Sequence, residues 1–270
     1  MQWSDLLADP AEFARERLPA PVAELVIGLL RPGIHLHAAE EGEPVVGRLG
    51  GAALLPEDFP WPSSGTRPLR HIATLDCRAL SSFEVDIALP HDGTLLFFVQ
   101  EEGDRNQVIH LPAGTPTVAR SEGERHPEIP LAGKTDVTWP GGAHPALAEA
   151  LGGGAAVYER LWDVEWEGET FGTALSEYEA DRRKIHQVGG HAFVLQSPFE
   201  ATAAHQAGAG WYGQQSFYAE ARQWVTLLQL DEDTDARMLW GDGAHVIWGI
   251  RAGDLARLDF SQVCFDVQGH

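Results

Sequence analysis

The chain carries the same three landmarks twice, in the same order, and this repetition limits its fold more than any other feature. Leu49-Gly50-Gly51-Ala52-Ala53-Leu54-Leu55 is echoed by Val188-Gly189-Gly190-His191-Ala192-Phe193-Val194. Each copy is followed by an apolar run ending in Leu-Asp: Ile72-Ala73-Thr74-Leu75-Asp76, then Leu227-Leu228-Gln229-Leu230-Asp231. Each closes with Asp-Gly opening a second apolar run, Asp92-Gly93-Thr94-Leu95-Leu96-Phe97-Phe98 and Asp242-Gly243-Ala244-His245-Val246-Ile247-Trp248. Short apolar runs bounded by Gly, Pro and Asp read as strands. Paired glycines permit φ > 0 or close backbone approach. The pattern predicts a duplicated β-rich unit, which speaks to architecture and not to chemistry.

The rest of the chain is assigned around these landmarks. Ser4 or Asp5 can cap a helix carrying Leu6, Leu7, Phe13 and Leu18. Val22, Leu25, Val26, Leu29 and Leu30 continue at helical spacing until Arg31-Pro32-Gly33 stops the run. Ile34-His35-Leu36-His37 alternates and reads as a strand. Phe59-Pro60-Trp61-Pro62 must be extended, because proline excludes the helical region for its predecessor. Pro127 to Gly142 reads as a connection draped over the surface. Pro145 to Glu167 is helical, broken at Gly152-Gly153-Gly154. A further helix is expected from Thr170 to Arg183, with Glu177, Glu179 and Asp181 ahead of Arg182, Arg183 and Lys184, as the helix dipole favours. Ala201 to Ser216 reads as a loose, glycine-containing stretch.

The expected fold class is α+β: an internally duplicated β-rich unit with mainly antiparallel sheets and N-terminal and central helices. One domain over 1–270 is expected, made of an N-terminal helical segment (1–44), a first repeat (45–126), a connection with helices (127–185) and a second repeat (186–270). Two sheets, one per repeat, would pack about a pseudo-dyad.

Charge narrows the partner class. Forty acidic residues against 19 basic ones give a net charge of −21. Such a surface repels phosphate backbones and anionic membranes, so no nucleic acid and no membrane partner is expected. It favours solubility, and it can steer a basic partner. No segment approaches the ~20 apolar residues of a membrane span, and the N-terminus lacks a signal peptide's pattern. Two cysteines, Cys77 and Cys264, fit a reducing compartment and core packing. A cytoplasmic protein is expected.

Enzyme signatures are mostly missing. There is no G-x-x-x-x-G-K-[ST], no H-E-x-x-H, no G-x-S-x-G and no C-x-x-C. No cofactor, metal or catalytic residue is assigned. Twelve histidines keep the question open. His35-x-His37 places two imidazoles on one strand face, a spacing that can chelate a metal. His186 and His191 flank the second Gly-Gly, and His245 sits in the second Asp-Gly strand. Asp76 and Asp231 end equivalent runs; they either cap turns or meet across a pseudo-dyad, where paired carboxylates do acid–base work. Nine tryptophans either fill the core or line a binding surface. The run Asp231-Glu232-Asp233-Thr234-Asp235 lacks the glycine and glutamate of a calcium loop.

Three groups of residues carry a family resemblance: Leu49-Gly50-Gly51 to Leu55-Pro56 with Pro60-Trp61-Pro62; His186-Gln187-Val188-Gly189-Gly190; and Leu227 to Asp231, Trp240-Gly241-Asp242-Gly243 and Asp259-Phe260-Ser261-Gln262-Val263. From about residue 45 to the C-terminus the chain resembles the YwqG-like bacterial family of unknown function. The resemblance implies an acidic-to-neutral cytoplasmic protein with an internally duplicated α+β fold, no established enzyme activity and no catalytic residues to carry over. Some relatives resemble cargo of toxin–immunity neighbourhoods, which implies a binding role. The leading expectation is a non-enzymatic binder of a basic protein or peptide, as an immunity or regulatory partner. The alternative is an enzyme or metal-dependent small-molecule binder using a cleft between the repeats. The candidate cleft comprises Asp76, His186, His191, Asp231, Trp240 and Asp242.

Overall fold

The strands form where apolar side chains recur between turn residues, and ten of them join one sheet beside three short two-stranded ribbons. The computed structural model describes residues 3–100, 105–178, 186–241 and 243–269. Helices α1 (Trp3–Arg17) and α2 (Ala20–Ile27) open the fold. Ten strands then build the main sheet: β1 (Arg31–Ala38), β2 (Gly47–Leu49), β3 (Arg70–Asp76), β4 (Thr94–Val99), β5 (Asn106–Leu111), β6 (Ile129–Thr138), β7 (His186–Gly189), β8 (Trp224–Asp231), β9 (His245–Arg251) and β10 (Cys264–Gln268). Their order is β10-β9-β8-β7-β1-β6-β2-β3-β4-β5, with every pairing antiparallel. The fold is therefore α+β and β-rich, with one main sheet rather than the two that were expected.

The single sheet follows from β1 and β6. They pair along eight residues, from Arg31 opposite Thr138 to Ala38 opposite Leu131. A first arm, β2-β3-β4-β5, continues outward from β6; a second arm, β7-β8-β9-β10, continues outward from β1. The segment expected to drape over the surface is thus a central strand. Pro130, Gly133 and Lys134 mask its alternation, while Leu131, Ala132 and Val137 are buried. The Ala201–Ser216 stretch is also more ordered than expected, holding most of α7 (Phe199–Gln206) and the start of α8 (Gln215–Ala221).

The sheet curls until its arms meet. Phe97 on β4 and Trp248 on β9 touch edge to face, with centroids 5.4 Å apart. Ile34, Leu36, Leu49, Ile72, Leu75, Leu228 and Leu230 join them in a nearly barrel-shaped interior. Because side chains alternate across a strand, the neighbouring residues face outward. On the second arm α7 covers that outer face, its Phe199 and Ala203 packing with Trp224, Ile247 and Cys264. Meanwhile α4 (Pro145–Leu151), α5 (Gly154–Val157), a π-helical turn (Tyr158–Trp162), α6 (Phe171–Tyr178) and α8 pack with α1, α2 and with Val137 and Trp139 at the end of β6. On the first arm Leu96, Phe98, Leu55 and Trp61 close the outer face. The expected helix beyond Tyr178, with Glu179, Asp181, Arg182, Arg183 and Lys184, lies outside the described residues. The short helices α3 (Cys77–Leu80) and α9 (Ala252–Ala256) follow β3 and β9. Cys77 and Cys264 are buried and unpaired, as expected of small apolar residues.

The two arms match in detail. Each has a bulge at the fourth residue before its closing aspartate, at Ile72 before Asp76 and at Leu227 before Asp231. Asp76 lies opposite Thr94, and Asp231 opposite His245. Both glycine pairs are left-handed, at φ 59° and 70° for Gly50 and Gly51 and 66° and 67° for Gly189 and Gly190. Arg48 donates to the carbonyl of Ala52 at 3.0 Å, and Gln187 to that of His191 at 2.9 Å.

Candidate functional site

The alternation that sends Leu36, Val188, Leu228, Leu230 and Val246 inward sends His35, Gln187, Gln229, Asp231 and His245 outward. His35, Gln187 and Gln229 sit side by side across β1, β7 and β8, and Asp231 and His245 form the next row. These five residues floor a cavity of about 610 Å³. Trp139, Tyr158, Trp162 and Phe193 supply aromatic wall, and Asp136 a second carboxylate. The roof holds because Trp162 donates its indole N–H to Gly142 at 2.8 Å, and because Gln229 accepts the Phe193 amide at 2.9 Å.

Three buried polar atoms of lining residues have no hydrogen-bond partner: Gln229 Nε2, His245 Nε2 and Trp139 Nε1. Native interiors rarely leave such groups unpaired. Burial pushes the His245 pKa down, although the carboxylates of Asp231 and Asp266 oppose the shift.

The structure divides the six expected cleft residues. His191 and Asp231 line the cavity. His186 is buried beside it and braces the acidic loop: its Nδ1 accepts the Asp231 amide at 3.2 Å, and its Nε2 lies 3.4 Å from Asp233 Oδ2. Trp240 braces the same loop, donating to the Asp231 carbonyl at 3.2 Å. Asp76 stands on the other arm, where it caps α3 by accepting the Ala79 amide at 3.0 Å. The two aspartates therefore do not share a cleft, because the sheet's curl brings the arms together through their inner faces. Asp242 lies outside the described residues. Of the His35-x-His37 pair, His35 enters the cavity floor while His37 pairs with Glu43 at 3.2 Å.

Behind His191 is a second cluster that the sequence reading missed. His144 precedes α4 and caps it, its Nδ1 accepting the Ala146 amide at 3.2 Å. Glu200 lies in the first turn of α7. Glu200 Oε1 is 3.7 Å from His144 Nε2 and 3.9 Å from His191 Nδ1. The two rings stand at 84° with centroids 4.9 Å apart. Burial alone would raise the Glu200 carboxyl, but the His144 and His191 rings outweigh it and hold the group below the usual carboxylate range. Burial pushes His144 down, with Glu200 opposing. The available local signals were His144-Pro145 and Pro198-Phe199-Glu200, each a helix start.

No helix among the described residues is long and apolar enough to cross a membrane. No curated protein matches the chain. A family model does match, over residues 47–269, from the first strand of the first arm to the end of the second. The chain belongs to the family described as a domain of unknown function, DUF1963.

Proposed function

We propose that this chain is a binding protein whose site is the cavity of the second arm, and that the ligand is a small organic molecule carrying an amine or other cationic group. The cavity itself carries the reading. At about 610 Å³ it falls in the size class of small-molecule sites. Its rings offer faces to a cation, Asp136 and Asp231 offer charge, and the described lining residues include neither lysine nor arginine. The net charge of −21 would draw such a ligand in. No catalytic residue is assigned.

The same charge favours the wider expectation of a basic protein or peptide partner, whose amine side chains share this chemistry; an immunity or regulatory role follows from that reading. We read the two arms as copies of one unit, an idea supported by their matching bulges, glycine turns and Arg48 and Gln187 hydrogen bonds. We also read the family as the YwqG-like bacterial one, acting in the cytoplasm, in keeping with the buried, unpaired cysteines.

A thermal-shift panel of amines, their neutral isosteres and carboxylates of similar size tests the reading. A bound amine at a hundredfold excess over Kd should stabilise the protein by about 2.7 kcal/mol. Ser176→Trp, at an exposed position on the cavity wall, should abolish that shift while leaving the unliganded melting temperature unchanged. Carboxylates binding as well as amines, or binding that ignores Ser176→Trp, would sink the proposal. A basic peptide captured with steep salt dependence by both wild type and Ser176→Trp would place recognition on the surface instead.

A further inference from the structure

We propose that His144, His191 and Glu200 hold a divalent transition-metal ion of the zinc class. They form the one three-ligand group of this kind among the described residues, with their ligand atoms all within 4.8 Å of one another. Spacing decides between an ion pair and a metal site. Charge-assisted N–H···O bonds close to about 2.7–2.9 Å, whereas the contacts here are 3.7 and 3.9 Å. Ligands about 2.1 Å from a tetrahedral ion lie roughly 3.4 Å apart, so the two histidine–carboxylate contacts need to close by a few tenths of an ångström, and every pair of ligand atoms already lies within 4.8 Å. All three side chains are about nine-tenths buried, and a buried carboxylate needs a compensating cation.

The surrounding hydrogen bonds orient the ligands. His191 Nε2 donates to the Leu29 carbonyl at 2.6 Å, which leaves the Nδ1 lone pair toward Glu200. Such an outward imidazole bond to a carbonyl is the usual support of a metal-bound histidine. His144 differs: its Nδ1 accepts the Ala146 amide, so its proton sits on Nε2. Loading therefore shifts that proton to Nδ1, at the cost of the helix cap. Two imidazoles and one carboxylate suit zinc above magnesium or calcium, which prefer all-oxygen sets. Neither Cys77 nor Cys264 belongs to the group.

The test uses the full chain, stripped with chelator and titrated with Co²⁺ and then Zn²⁺. One equivalent should bind, Co²⁺ giving the visible absorption of a four-coordinate site that Zn²⁺ then displaces. Glu200→Gln and His191→Gln should each weaken binding at least tenfold, while His37→Ala, which removes an exposed pair with Glu43, should leave it unchanged. Failure of the wild type to bind either ion, or equal binding by Glu200→Gln, would overturn the assignment. Should the variants not fold, X-ray absorption on the zinc-loaded wild type decides. Two imidazoles with oxygen support the site, and a sulfur or all-oxygen shell refutes it. His191 borders both sites, so the amine panel is run on metal-free and metal-loaded protein; its carboxylates, Asp136 and Asp231, lie outside the metal group.

Discussion

The outer face of the first arm and that of the second start from matching rows and end differently. Arg48, Thr74, Asp76 and Thr94 border a hollow of about 480 Å³ on the first. Their counterparts Gln187, Gln229, Asp231 and His245 floor the larger cavity on the second. In the first arm the long Arg48 side chain, besides its bond to the Ala52 carbonyl, lies 3.5 Å from Glu128 at the edge of the hollow. In the second, the shorter Gln187 folds back onto the backbone at Gly189 and His191. One strand further out, the first arm closes its face with its own Phe98. The second has Gly249 there, and an added Cβ would lie 1.9 Å from the ring of Phe199, which α7 lays over that face. An arm that fills its face with its own side chains leaves a shallow hollow. An arm that leaves the face bare recruits helices, and the space beneath them becomes a cavity.

The largest effect expected from this contrast is at Phe199. It is fully buried over β9, so Phe199→Ala should cost about 3–5 kcal/mol in chemical denaturation. A loss below about 1 kcal/mol, the level of ordinary substitutions, would mean that α7 is not what closes the second arm.

The next effect belongs to the first arm and depends on pH. Burial pushes the His71 pKa down to about 4, against the bond to the Gly51 backbone, while an unfolded histidine titrates at 6.5. The neutral ring's contribution is therefore complete above pH 6.5 and is lost as the pH falls toward 4, a span worth about 3 kcal/mol. The matching residue of the second arm, Thr226, does not titrate. His71→Gln should flatten the acid limb of the stability curve; an unchanged limb in that variant would assign acid sensitivity elsewhere.

The smallest effect separates the two aspartates. Asp76→Ala removes a helix cap and should cost about 1 kcal/mol. The described hydrogen bond of the Asp231 carboxylate is to the adjacent Glu232 amide, so Asp231→Ala should stay within about 0.5 kcal/mol in stability while weakening amine binding. Equal melting temperatures for the two variants would erase the distinction between a structural and a site aspartate.

Much of this contrast was legible in the chain. The Gly-Gly turns and the strands ending at Asp76 and Asp231 follow from local pattern, because turn chemistry and two-residue alternation are local. Three things were not legible. The strand Ile129–Thr138 hid behind Pro130 and Gly133, which normally mark loops. The single sheet depended on pairing residues near 35 with residues near 134 and 187, and no local signal encodes that. The His144, His191 and Glu200 cluster joins three separate segments, and each of the two new members had a sufficient local explanation as part of a helix start.

The central pair of strands also sets an order of events during synthesis. β1 is made early, yet its partners arrive only with residues 129–138 and then 186–189. Pairings so distant along the chain fold slowly. Until β6 emerges from the ribosome, β2 and the rest of the first arm present an open edge, the kind that invites pairing with another chain. A nascent chain stopped near residue 126 would therefore be expected to aggregate rather than to persist as a small domain. The arm is a unit of pattern, while the whole sheet is the unit that folds.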